Sequence, residues 1–226
     1  MAEAPATVLT LEALRENSQV QAFIRAADAQ LGTLGYTEHG FRHVNLVASI
    51  SQNILLRLRY PQRRAELAAI SGYLHDIGNL VNRHDHAVAG ALLSRDLLIE
   101  SGVPLDELAI ILGAIGNHEE RVGEPISDVS AAIIIADKSD VHRSRVRNPN
   151  PAMFDIHDRV NYASQHSFVR VDGEARSITL EITIDTSIAT IVDYFEIFLR
   201  RMLFIKKAAQ FLDSSFELQI NRQRLL

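Results

Sequence analysis

The sequence predicts a mainly α chain: a helical body over residues 1–166 and a small C-terminal β-β-α-β unit, an α+β subdomain, over 167–226. Three observations carry this reading. Apolar residues recur at helical spacing through the first two-thirds of the chain. The period shortens to two at Ser167, and a strongly apolar helical stretch then separates two alternating segments. At 226 residues, 47% hydrophobic and 23% charged, the chain is long enough to bury a substantial core.

Ser18 to about Leu34 places Val20, Phe23, Ile24, Ala27 and Leu31 on one face. His39 to Leu58 repeats the pattern with Val44, Val47, Ser51, Ile54 and Leu58. Arg64 to Leu80 reads as a helix broken near Gly78-Asn79, and Asp85 as the N-cap of a helix reaching Ser101-Gly102. Pro104 opens the next helix, expected to end at His118. Ser127 is the expected cap of a long helix through about Val146, stopped by RNPNP at 147–151, with one more helix from Ala152 to about Gln165. Beyond Ser167, FVRVDGEARSITLEITID holds a hairpin-like Asp172-Gly173, then Ile178, Leu180, Ile182 and Ile184 in alternation. A helix from Ala189 to Leu212 follows, and FELQI at 216–220 alternates again. The apolar surface of that helix, with Val192, Phe198, Leu199, Met202 and Leu203 among its residues, suggests a homodimer contact.

Composition narrows the function. A net charge of −5 and a pI near 6.0 give no basic footprint for a nucleic-acid polymer or a membrane surface. MAEAPATVLTLEALRE has neither a basic n-region nor an apolar h-region, so a cytoplasmic location is expected. The absence of cysteine excludes disulfides and thiolate metal sites. A metal in this chain must rest on histidine and carboxylate.

Nine histidines and fourteen aspartates in 226 residues give about half of one His-Asp dipeptide by chance, yet the chain has three. Position separates them. His84-Asp85 falls in a turn where Asp85 can serve as a cap, and His157-Asp158 lies in a polar surface pattern. His75-Asp76 sits among apolar and small residues, where an unpaired carboxylate is costly to bury and a cation offsets the cost. His43 lines up with Val47, Ser51 and Ile54; His118 follows Ile111 and Ile115; Asp137 follows Val129 and Ile133. Each is inward-facing. Alone, an inward histidine is an ordinary core residue, but inward His, His-Asp and Asp from several helices together favour a metal site.

The set His43, His75-Asp76 and Asp137, with RHVNLVASI, YLHDIGN and IIIADKSD around them, resembles the HD-domain superfamily of metal-dependent phosphohydrolases over roughly residues 38–146. The resemblance implies an HD-domain helical bundle. It also adds His86 in HAVAG and His118 in IGNHEE, as in binuclear members. It implies one or two divalent transition metals, among Mn, Fe, Co, Ni or Zn, with Asp76 bridging them. His43, His75 and Asp137 would complete one metal, and His86 and His118 would hold the second. A metal pair about 3.5–4 Å apart can lower the pKa of a water and neutralise phosphate oxygens. The segment NHEERVGEP lacks the GYP motif of the cyclic-dinucleotide phosphodiesterases and has Asn117 where they usually pair histidines, which argues against that branch.

Asp76, Lys138 and Asp140 are the expected catalytic residues, the last two because they lie within a turn of Asp137. His39, one turn before His43, and Arg145 in KSDVHRSRVR join Lys138 as candidate substrate contacts. Cations there could equally serve a helix C-terminus. Glu119 and Glu120 are candidate partners for His118. The leading expectation is hydrolysis of a phosphate ester of a nucleotide or small metabolite, as phosphatase or phosphodiesterase. The alternatives are a mixed-valent di-iron oxygenase of the same superfamily and a non-catalytic nucleotide sensor.

Overall fold

The computed structural model describes residues 8–225; positions 1–7, part of the stretch read for an export signal, and 226 lie outside the described residues. The helical part comprises α1 (Leu11–Glu16), α2 (Ser18–Thr33), α3 (Phe41–Arg57), α4 (Gln62–Leu74), α5 (His86–Glu100), α6 (Leu105–Gly116), α7 (Asp128–Lys138) and α8 (Ile156–Ala163). Several starts are fixed by side-chain caps: Asn17 accepts from the Gln19 and Val20 amides, Ser127 from Ser130, and Asp155 from Asp158. These bonds satisfy amides that have no partner inside the helix. No described helix is long and apolar enough to cross a membrane.

The C-terminal part contains β1 (Ser164–Asp172), β2 (Ser177–Ile184), α9 (Ile191–Phe211), β3 (Ser215–Ile220) and the two-residue β4 (Gln223–Arg224). The strands form one sheet in the order β1-β2-β3-β4. β1 and β2 pair antiparallel, with Val169 opposite Leu180. β2 and β3 pair parallel, with Ile178, Leu180 and Ile182 opposite Phe216, Leu218 and Ile220. A parallel pair needs a crossover, and α9 supplies it. Alternation puts Ile178, Leu180, Ile182, Leu218 and Ile220 on the buried face, in one apolar core with Tyr194, Phe198, Met202 and Ile205 of α9.

α7 is the pivot. Every residue from Val129 to Lys138 is buried, and the helix packs against α3, α4, α6 and α9. Its apolar length anchors the core, while Asp137, Lys138, Ser139 and Asp140 at its end are buried polar groups that require partners.

Several boundaries differ from the sequence reading. The helix expected through Val146 ends at Lys138, because Asp140 turns inward and the Arg145 guanidinium donates to its carbonyl at 2.7 Å. α8 begins at Ile156 rather than Ala152, after a 3-10 turn at Pro151–Met153. The helix expected to break at Gly78-Asn79 ends earlier, at Leu74, and a 3-10 turn covers Ile77–Leu80. α6 stops at Gly116, before His118. Asp85 occupies the N-cap position of α5 but makes no capping bond with its side chain. β1 starts at Ser164, with a register irregularity near His166 that obscures its period, and α1 and β4 are additional elements.

Candidate metal centre

His75 and Asp76 lie where α4 gives way to the 3-10 turn, so their side chains leave a chain that is changing direction. The cause is a close approach to α5. A Cβ on Gly78 would collide with the His86 carbonyl and the Gly90 backbone, so only glycine lets this turn sit against the start of α5. That contact brings His86 beside His75-Asp76. His43 comes from the first turn of α3, His118 from just beyond α6, and Asp137 from the last turn of α7.

The six side chains converge, all of them buried. Asp76 turns Oδ2 toward Nε2 of His43 and His75, at 3.5 and 3.3 Å, and Oδ1 toward Nε2 of His86 and His118, at 3.6 and 3.9 Å. Asp137 Oδ1 lies 3.4 Å from His43 Nε2 and 3.8 Å from His75 Nε2. Within each of the groups His43/His75/Asp76, His75/His118/Asp137 and Asp76/His86/His118, the donor atoms lie within 4.8 Å of one another.

Orientation makes the chemistry specific. Nδ1 of His75, His86 and His118 faces the carbonyl of Gly72, Arg83 and Ile115, at 2.8, 2.9 and 2.6 Å. A carbonyl can only accept, so each Nδ1 carries the proton. Burial lowers the pKa of His86 and His118, in His118 well below the usual histidine range, so both rings are neutral. Their Nε2 lone pairs then face each other at 3.0 Å with no proton between them. Two acceptors at that distance repel unless a cation lies between them. Asp76 Oδ2 is likewise buried without a hydrogen-bond donor. At the other pair, burial and Arg145 oppose charge on His43, yet hydrogen bonds to Asp137 and Asp140 raise its pKa. Neutral imidazoles with carboxylates fit a divalent transition metal, and this cluster could hold metal ions.

The other predicted residues surround this set in distinct positions. Asp140 stands behind His43, accepting from its Nδ1 at 2.7 Å and pairing with Arg42 at 2.7 Å. Burial opposes its charge, but Arg145 and His43 hold its carboxyl far below the usual range. Lys138 is paired with Glu120 at 2.6 Å and Asp137 at 2.7 Å. Burial would raise Glu120, but Lys138 and then Arg201 of α9 draw it down to about 2. Arg145 is buried and donates to the Glu38 carbonyl and to His39 Nε2, while His39 Nδ1 faces the Thr37 carbonyl at 2.7 Å. Both nitrogens of His39 are therefore engaged within the protein. His118 uses the Ile115 carbonyl rather than Glu119 or Glu120, which corrects their expected role; Glu119 instead lies 3.7 Å from His86 Nε2. His84 and His157 are exposed and belong to none of the three groups of converging donors.

Sequence reasoning missed three supporting residues. Arg42 grips Asp140; Asn79 donates to Asp76 Oδ1 at 2.8 Å; and Arg83 donates to Asn79 Oδ1 at 3.2 Å. Asn79 had a legible signal, lying three residues beyond Asp76 in the same turn. A cavity of about 310 Å³ opens on the far side of Asp140, lined by Arg42, Leu46, Ser139, His142 and His166 among others. None of the six clustered residues lines it, so its shape does not mark the chemistry; the donor geometry does.

A family model described as the HD domain matches residues 40–141. An uncharacterized protein of Methanocaldococcus jannaschii is 27% identical over 193 residues, covering 75% of this chain and 73% of that one. A crystal structure described as a predicted HD superfamily hydrolase from an uncultured Thermotogales bacterium shares 24% identity, covers 55% of this chain and 67% of that chain, and has a TM-score of 0.44.

Proposed function

We propose, from the premise that residues 40–141 are an HD domain, that this chain is a metal-dependent phosphohydrolase acting on a phosphate ester of a nucleotide or small metabolite. The observation that carries the reading is the pair of neutral Nε2 lone pairs at His86 and His118, facing Asp76 Oδ1 while Oδ2 faces His43 and His75. Two divalent ions bound there would supply an activated water and neutralise phosphate charge. The chain's own groups do the rest. Burial opposes charge on Asp137, but Lys138 beside it holds its carboxyl well below the usual range. Asp140 fixes the His43 ring through Nδ1 and so sets the direction of Nε2. Lys138, held by Asp137 and Glu120, balances the carboxylates at the edge of the cluster.

The catalytic unit is proposed to be residues 1–166, with 167–226 as a smaller unit that also forms a homodimer contact. On α9, Val192, Leu199 and Leu203 are 75%, 50% and 58% exposed along one face, while Phe198, Met202 and Ile205 point into the core. Sedimentation should give twice the chain mass, reduced to one chain by Leu199→Glu; a wild-type monomer contradicts the dimer.

Metal-loaded protein should release inorganic phosphate or a nucleotide from some member of a panel of nucleotides and sugar phosphates under anaerobic conditions. Turnover that requires both iron and oxygen would instead establish the oxygenase alternative.

A further inference from the structure

Most cations around the site are already held by carboxylates or buried acceptors. Lys138 is neutralised by Asp137 and Glu120, and Arg145 is buried against Asp140, Glu38 and His39. Arg147 pairs with Asp28, and Arg42 is shared between Glu38 and Asp140, whereas Arg143 lies over the Tyr162 ring of α8 with its Nε buried and without a hydrogen-bond partner among the described residues. Arg83 likewise lacks a carboxylate, but it is tied to the cluster. Among the described residues it forms no ion pair with a carboxylate; its guanidinium meets Asn79 Oδ1 at 3.2 Å and stands over the Tyr36 ring at 5.3 Å.

Its placement is tied to the cluster twice. The Arg83 carbonyl accepts from His86 Nδ1 at 2.9 Å, so the backbone carrying the guanidinium also orients a candidate metal ligand. At the other end, Asn79 passes from the guanidinium to Asp76 Oδ1, with bonds of 3.2 and 2.8 Å. The Arg83 side chain is half-buried and Tyr36 is 43% exposed, so this guanidinium lies at the solvent edge, one side chain (Asn79) removed from Asp76. A planar guanidinium with free donors is suited to phosphoryl oxygens, and lack of a carboxylate partner leaves its charge available.

We propose that Arg83 is the phosphate-binding residue of this site, donating to an oxygen of the phosphoryl group that the metal cluster receives. The proposal rests on the phosphohydrolase reading. It assigns to Arg83 the role that the sequence pattern gave to Lys138 and Arg145. Asn79 and Tyr36 position the guanidinium; neither need touch the substrate.

The test is binding of inorganic phosphate to the full chain loaded with metal, followed by calorimetry, with metal content measured on the same samples. Arg83→Ala should weaken phosphate binding about tenfold or more at unchanged metal content, the loss expected for one charge-assisted hydrogen bond. Arg83→Lys should recover part of the affinity, because charge remains and the planar fork is lost. Wild-type affinity in Arg83→Ala would overturn the proposal and leave the phosphohydrolase reading standing. Loss of metal in both variants would also overturn it, assigning Arg83 to holding Asn79 and His86 instead. If the metal-loaded wild type itself binds no phosphate, the underlying reading fails and the proposal falls with it.

Discussion

Asp140 shows how one carboxylate can serve a cluster it does not enter. It accepts from His43 Nδ1, pairs with Arg42, and lies 3.6 Å from the buried Arg145. Removing it deprives two guanidiniums and one imidazole of their shared acceptor. Asp140→Ala should therefore cost about 3–5 kcal/mol of stability, as when one partner of a buried pair is deleted. Metal affinity should fall roughly 10- to 100-fold through the loosened His43 ring. Denaturant melting and chelator competition read the two effects, and wild-type values in both would contradict the role. The sequence placed Asp140 near the site by its distance from Asp137. It could not show that Asp140 faces the back of His43, because Arg42 and His43 join it only through the tertiary fold. The orienting partners of His75, His86 and His118 were less legible still. They are backbone carbonyls, which every residue has and no side-chain pattern distinguishes.

At the scale of elements, the site depends on where helices stop. Inward periodicity was enough to find His43 and Asp137, which sit inside α3 and α7. The ends were misplaced because packing decides them. The sequence placed a break near Gly78-Asn79, and the structure shows that Gly78 is needed for space, with the His86 carbonyl and Gly90 backbone against it. Gly78→Ala should push the 3-10 turn away from α5, costing about 1–3 kcal/mol as overpacking does. It should weaken metal binding as well, by separating His86 from Asp76. Denaturant melts and chelator titration would show both losses, and a variant with wild-type stability and metal affinity would refute the close-packing argument. The β-period at 178–184 was legible because Ile178, Leu180, Ile182 and Ile184 share one buried face while the residues between them are polar. β1 was read three residues late, since most of it is partly or fully exposed on both faces and carries little pattern.

For the molecule as a whole, the C-terminal unit reaches the candidate metal centre. Arg201 of α9 lies 3.6 Å from Glu120, which pairs with Lys138, which pairs with Asp137. A sequence period cannot reveal such a link, because it joins residues 120, 137, 138 and 201 through packing of α9 on α7. What inward helix positions disclosed was His43, His75-Asp76, His118 and Asp137, since a buried carboxylate needs a cation to offset its burial; His86 came only from the resemblance, and the fold brings all six together. The central claim is that this set is a metal centre bridged by Asp76. The most direct measurement is elemental analysis of the purified wild type beside Asp76→Ala, His86→Ala and His118→Ala, each checked for folding by circular dichroism. The account expects two transition-metal ions per wild-type chain, near-complete loss of both in Asp76→Ala, and loss of mainly one in either histidine variant. A folded Asp76→Ala with full metal occupancy would contradict it.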